Sequence, residues 1–435
     1  MTGMPEFTIK VDQNRYLPVS GGEVHAIVTV EATGSSAPPG GGAAEAAEVI
    51  IIDTSGSMAS DGKLAEAKRA ARTAVDTLRD GVHFAVIAGF HRAEPVYPGG
   101  ERLAVASAST KKEAKKAIGR LTSGGGTAIG SWLRMAHGLM SRQGAGGVRH
   151  AILLTDGQNQ HETAEELDAA LRAVSGSFVC DCRGVGTDWR VAELRKIASA
   201  LLGSVDIVAD PRDLAADFRA MTENAMGKTV ADVTLRIWTP LHGTLKFIKQ
   251  VSPALEDLTG KRTDSGPQTG DYPTGAWGEE IRDYHLCVQV PPGEVGRQMR
   301  AAWVKLVVPD GAGGERVAAT GNVLAEWTDD EARSTRINPR VAHYTGQEEL
   351  AEAIQEGLDA RREGDLDTAT ARLGRAVQLA RRAGNRQMEE LLGNVVDVID
   401  PVTGTVRLKK KVEKADEMSL ETRSTKTVRT RKDGG

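Results

Sequence analysis

The chain has 435 residues, a formal net charge of -4, 40% hydrophobic and 26% charged residues. This is more than one ordinary domain with a globular balance, and it excludes a protein that binds polyanions through its overall charge. No apolar run approaches the roughly 20 residues of a membrane span, the N-terminus lacks a signal pattern, and three cysteines are too few for a disulfide framework, so a cytoplasmic location is expected.

Residues 6–12 and 24–32 alternate apolar and polar side chains and predict two strands, which form an N-terminal unit of residues 1–33. A Gly, Ala, Pro and Ser-rich stretch predicts a linker over 34–45. From Val49 the pattern changes. The run 49–52 is continuously apolar, as in a strand buried on both faces. Helical spacing at 63–78, 111–121, 128–140, 164–174, 191–202 and 212–226 alternates with apolar runs at 83–90, 150–155, 178–185 and 205–209. Such alternation predicts a doubly wound α/β domain over 46–227. Residues 228–330 hold strand-like segments separated by Gly, Pro and Asp turns, with no helical pattern between them. They predict an antiparallel β-sandwich. Two strands alone are not stable, so the 1–33 strands are expected to join it, which makes the α/β domain an insertion.

Residues 340–400 are helical. Thr345 and Glu348 have capping-box spacing, and Gly364 and Gly384 sit where helices end. The segment resembles one tetratricopeptide hairpin, too short for a solenoid, and is expected to be a small bundle packed on its neighbour. Residues 405–435 carry 10 Lys/Arg against 5 Asp/Glu, and 401–435 is expected to be a basic flexible tail. With no aromatic residue there, it offers no specific nucleic-acid recognition.

The chemistry gathers after the first buried strand, in Asp53-Thr54-Ser55-Gly56-Ser57. Ligands of open α/β sheets bind beyond the C-terminal strand ends. Asp53 and Asp156 stand at two such ends, and Thr127 closes a glycine-rich SGGGT loop. Two carboxylates and three hydroxyls form an all-oxygen donor set that suits a hard cation such as Mg²⁺, with Mn²⁺ or Ca²⁺ as alternatives.

This pattern resembles the von Willebrand factor A (vWA) family and its metal-ion-dependent adhesion site, of the intracellular bacterial type. Asp53, Ser55, Ser57, Thr127 and Asp156 fill the five positions of the motif in order. The resemblance implies direct metal ligation by the hydroxyls, direct or water-mediated ligation by the aspartates, and an open position for a partner's Asp or Glu. It also implies assemblies with AAA+ ATPases, kinases or phosphatases.

Other motifs point elsewhere or nowhere. Gly56 to Leu64 resembles a P-loop, but has five residues between its glycines and Leu64 in place of the Ser/Thr. No nucleophile elbow or zinc-protease motif is present. The expected function is a non-enzymatic, metal-dependent protein-binding scaffold in a bacterial signalling or stress assembly. One alternative is a metal-dependent hydrolase. Another is an effector phosphorylated in its tail at Thr425, Thr422 or Thr427. Thr425 is preferred because Val428 three residues on resembles the pattern that forkhead-associated domains favour.

Overall fold

The computed structural model describes residues 5–34, 46–142, 147–310 and 313–429. The expected 34–45 linker, apart from Gly34, lies outside the described residues, as do residues 430–435 of the expected tail.

The chain begins with β1 (Glu6–Gln13), β2 (Tyr16–Pro18) and β3 (Gly22–Thr33). An alternating region follows: β4 (Ala46–Asp53), α1 (Lys63–Thr77), β5 (His83–Gly89), β6 (Ala93–Tyr97), β7 (Ala104–Val105), α2 (Ala108–Gly119), α3 (Ile129–Met140), β8 (Val148–Thr155), α4 (Ala164–Val174), β9 (Val179–Val185), α5 (Val191–Ala200), β10 (Val205–Val208) and α6 (Leu214–Met226). These strands form one sheet in the order β10-β9-β8-β4-β5-β6, with β7 also on β5. β4 lies in its middle, parallel to β5 and β8. That position explains its unbroken apolar run. Val49 and Ile51 face one core with Trp132 and Leu133 of α3, whereas Ile50 and Ile52 face another with Ala70 of α1 and Phe218 of α6. Burying such a side chain fully is worth about 1.5–3 kcal/mol. The sheet is mixed, because β6 and β7 run antiparallel to β5. Neither strand was legible in the sequence, being short and edge-placed.

The second run of strands is β11 (Thr234–Trp238), β12 (Thr244–Ser252), β13 (Glu256–Asp257), β14 (Thr263–Gly266), β15 (Thr269–Pro273), β16 (Glu280–Val290), β17 (Gln298–Pro309) and β18 (Glu315–Thr328). They belong to two further sheets, β1-β3-β16-β12-β13 and β14-β15-β11-β17-β18-β2. β3 pairs antiparallel with both β1 and β16. Val28 and Leu286 from one sheet and Leu235 and Val304 from the other share a single apolar core.

The C-terminal part comprises α7 (Glu331–Ser334), α8 (Pro339–Glu363), α9 (Leu366–Ala383), α10 (Arg386–Val395), the hairpin β19 (Val396–Asp400) and β20 (Thr405–Leu408), and α11 (Lys414–Arg423). Leu350 and Ile354 of α8 pack with Leu373 and Val377 of α9, Leu392 of α10 and Leu420 of α11. Gly364 and Gly384 end α8 and α9 in the left-handed conformation, which costs glycine nothing.

Two expectations are corrected here. Thr345 does not cap a helix: α8 starts at Pro339, and the Asn338 side chain accepts its first amides, so Thr345 lies within the helix. The 401–435 segment is not a flexible tail as far as it is described. It contains β20, the second strand of the hairpin, and α11, and its last stretch is docked. Thr425 O accepts from Leu255 N, Thr427 Oγ1 donates to Val251 O, and Val428 N donates to Gln347 Oε1. Thr422 is 1% exposed within α11. A kinase needs an extended, accessible segment, so Thr422, Thr425 and Thr427 lose the basis on which they were singled out. Basic residues that read as solvated instead pair with acidic residues far away in sequence.

Candidate metal centre

β4 and β8 are neighbours in register, Ile52 beside Leu154, so the chain leaves both strands at one edge. Asp53 ends β4, and Asp156 follows β8. Both are fully buried. Asp53 Oδ1 accepts the Ser55 N–H at 2.7 Å, and Oδ2 accepts the Thr155 hydroxyl at 2.5 Å. A short 3₁₀ turn, Gly56–Ala59, follows, and Met58 anchors it by full burial in the core. The turn brings Ser55 Oγ and Ser57 Oγ to 3.0 Å. Ser57 Oγ donates to Asp156 Oδ1 at 2.6 Å.

The SGGGT loop completes the group. Gly56 N donates to Gly125 O at 2.9 Å, and Gly124 N to Thr54 O at 2.7 Å, so the two loops are stitched together. Gly126 leaves room for the His161 ring: a Cβ there would fall 1.7 Å from His161 Cε1, so the ring would have to move. His161 Nδ1 accepts the Thr127 N–H at 3.2 Å, and the His161 N–H returns a bond to Thr127 O. A Cβ on Gly157 would lie 3.5 Å from both Ser57 Oγ and Thr127 Oγ1. Those two hydroxyls therefore flank one point beside the Asp156–Gly157 turn. Asp53, Ser55, Ser57, Thr127 and Asp156 are thus gathered by three loops, whereas Thr422, Thr425 and Thr427 lie in the docked C-terminal stretch. Ser57 is the exposed member, which leaves the group open to solvent.

One neighbour was hidden in the P-loop-like stretch. Lys63, the first residue of α1, has a side chain only 7% exposed, and its Nζ donates to Asp156 Oδ2 at 2.8 Å. The Asp188 carboxylate lies 3.6 Å from the same ammonium. Burial alone would lower the Lys63 pKa, but Asp156 and Asp188 outweigh it and hold it above its ordinary value. For Asp53, burial dominates and raises the carboxyl to about 6, against the hydrogen bonds from Ser55 and Thr155. The signal of Lys63 in the sequence was the Gly62-Lys63 pair opening a helix, read as a failed phosphate loop.

The profile of the von Willebrand factor type A domain matches residues 49–218, and that of the von Willebrand factor type A C-terminal domain matches 378–424. A solved structure described as von Willebrand factor type A from Catenulispora acidiphila is 51% identical. It covers 99% of this chain and 98% of its own, with a TM-score of 0.93. The chain belongs to the von Willebrand factor type A family. The ArnB paralog VWA2 from Sulfolobus acidocaldarius, at 15% identity, covers 97% of this chain and 98% of its own with a TM-score of 0.58, a likeness of fold. Among curated proteins, the uncharacterized protein sll0103 of Synechocystis is 32% identical over 215 residues, 48% of this chain and 49% of that protein. The chain therefore matches about half the length of that relative. In this vWA domain the five oxygen-bearing side chains stand at the C-terminal edge of the central strands, where open α/β sheets place ligands.

Proposed function

We propose that this protein is a divalent-metal-dependent protein-binding scaffold, with Asp53, Ser55, Ser57, Thr127 and Asp156 holding the metal. The observation that carries the reading is Ser57 Oγ, which bridges Ser55 Oγ and Asp156 Oδ1 at 3.0 and 2.6 Å on the exposed rim. Five hard oxygen donors without nitrogen or sulfur favour Mg²⁺, with Mn²⁺ or Ca²⁺ also compatible. The charge balance supports capture of a partner. Two carboxylates face the site, and Lys63 offsets part of their charge. A divalent ion there keeps positive charge and attracts an Asp or Glu from another protein. A groove of 520 Å³ lined by Thr54, Phe90, His91, Arg120, Leu121 and Gly124 abuts the same loops and gives room for residues flanking that acid.

Around this centre we read an α/β domain, 46–227, inserted into a β-sandwich of 1–33 and 228–330. The β3–β16 pairing on either side of the α/β region supports it. No helix among the described residues is long and apolar enough to cross a membrane. The setting we favour is the bacterial cytoplasm, in an assembly with an ATPase, kinase or phosphatase, and the role is non-enzymatic. Affinity purification from the native cell with Mg²⁺, with chelator, and with Asp53→Asn tests this. Partners are expected only with Mg²⁺ and wild-type protein. Partners that ignore chelator and substitution would sink the reading, and phosphoester turnover lost in Asp53→Asn would favour the hydrolase.

A further inference from the structure

The outer face of the β3–β16 pair carries a second cluster of chemically active side chains. Val24, Ala26 and Val28 of β3 and Leu286 and Val288 of β16 face the apolar core. Side chains alternate along a strand, so Glu23, His25, His285 and Cys287 point the other way. His25 sits directly opposite Cys287 in the register, and Glu23 is two residues along the same strand. The donor atoms of Glu23, His25 and Cys287 all lie within 4.8 Å of one another.

We propose that Glu23, His25 and Cys287 form a zinc site, separate from the five-oxygen centre, with a fourth position open to water on the Glu23 side.

Three observations carry it. The first is spacing. His25 Nε2 lies 3.8 Å from Cys287 Sγ and 3.6 Å from Glu23 Oε2. The N···O separation exceeds a hydrogen bond. Around a tetrahedral Zn²⁺ with ordinary bond lengths, the N···S and N···O edges are about 3.6 and about 3.4 Å. Both observed separations fall close to those edges, so little rearrangement is needed.

The second is a relay that orients the imidazole. Glu348 of α8 accepts at Oε1 from His285 Nδ1 at 2.6 Å, and Lys249 Nζ donates to its other oxygen at 2.6 Å. His285 Nε2 meets His25 Nδ1 at 3.1 Å. A carboxylate only accepts, so His285 carries its proton on Nδ1. In the neutral pair, its Nε2 then accepts from His25 Nδ1–H. The lone pair of His25 is left on Nε2, the atom that faces Cys287 and Glu23. A metal-binding histidine whose other nitrogen is held by a carboxylate-terminated chain is the usual support for such a ligand.

The third is the chemistry of the donors. Imidazole, thiolate and carboxylate suit zinc and do not suit Mg²⁺. Burial pushes the Cys287 thiol up to about 12, with the Glu23 charge adding to it. Zinc must displace that proton, and binding at neutral pH should release about one proton per site. The Phe247 ring packs edge-on to His285 at 4.9 Å and covers the apolar side of the cluster.

The test uses the full chain stripped of metal and titrated with Co²⁺ as a spectroscopic substitute for zinc. A thiolate-to-cobalt charge-transfer band is expected at one equivalent, bleached by Zn²⁺ and unaffected by excess Mg²⁺. Cys287→Ser should abolish the band, Glu23→Gln should weaken zinc about tenfold, and His285→Ala should weaken it by about 10–100-fold while keeping the band. Asp53→Asn should leave the band intact, which separates this site from the five-oxygen centre. Glu23 is exposed, so its variant keeps the test valid if Cys287→Ser fails to fold. No band in wild type, a band that survives Cys287→Ser, or unchanged zinc affinity in both Glu23→Gln and His285→Ala would overturn the proposal.

Discussion

Lys63 is the residue whose role changes most between sequence and structure. Its ammonium and a bound dication would share Asp156 Oδ2 and Oδ1 as neighbours. A unit-charge pair about 4 Å apart is worth about 4 kcal/mol in a semi-polar setting. Lys63→Met removes a cation beside the proposed metal, so Mg²⁺ affinity should rise at least tenfold, about 1.4 kcal/mol. Capture of a partner carboxylate should weaken, because the occupied site becomes less positive. Calorimetry with Mg²⁺, followed by partner binding, reads both, and a fall in Mg²⁺ affinity would refute the assignment. Asp53→Asn keeps the size of the side chain and an acceptor for Ser55 N or Thr155 Oγ1. It should lose Mg²⁺ binding by more than a hundredfold with a near-normal melting temperature, while Ser57→Ala, which removes a neutral ligand, should lose less.

At the scale of elements, the opposite end of the central sheet holds a buried charge relay across β4, β8 and β9. His150 Nδ1 meets Glu48 at 2.9 Å, and its Nε2 meets Asp181 at 3.1 Å. Burial would lower the His150 pKa, but Glu48 and Asp181 raise it to about 10. Burial would raise Asp181, but His150 holds it below the ordinary carboxylate range. Because the folded His150 pKa lies above its ordinary 6.5, its stabilisation is complete below about pH 6.5 and fades as pH rises toward 10. Denaturant midpoints should therefore fall over that window. His150→Gln should cost about 3–5 kcal/mol near neutral pH and flatten the pH profile, and a profile of unchanged slope would remove the relay from the account. The α/β pattern was legible because each element declares itself locally: Val49–Ile52 by unbroken apolarity, α1 by helical spacing. The D-x-S-x-S residues were legible for the same reason, since a short motif sits in one loop. The Glu23–His25–Cys287 cluster was not, because strand register alone brings Cys287 opposite His25. The docked C-terminal stretch was not either. Its basic residues look solvated until Asp206 and Asp283 are placed beside them.

At the scale of the molecule, that stretch ties all parts together. Arg423 and Lys426 pair with Asp206 of β10, and Arg429 pairs with Asp283 of β16. Arg340 and Tyr344 of α8 converge on the same Asp283. Deleting 424–435 removes, among the described residues, several backbone bonds and the Lys426 and Arg429 ion pairs, and should cost about 3–5 kcal/mol at about 1 kcal/mol per bond. An unchanged chemical-denaturation midpoint would count against this docking. A fragment of 229–330 leaves the β16 edge bare where β3 belongs and should be insoluble alone but soluble when coexpressed with residues 5–34.

The β3–β16 pairing also sets an order of events during synthesis. Thr29 and Asp283, hydrogen-bonded in the finished protein, are 254 residues apart in the chain. At about 5–20 residues per second, β16 leaves the ribosome roughly 10–50 s after β3. The vWA sheet finds all its strand partners within its own stretch, so its pairing does not depend on β16. Meanwhile β3, with Ile27, Val28 and Val30 exposed on a nascent chain, has only β1 beside it. The two sheets thus differ in when their strands can meet: the vWA sheet can pair as soon as its own stretch is made, whereas the oldest segment of the chain waits for β16.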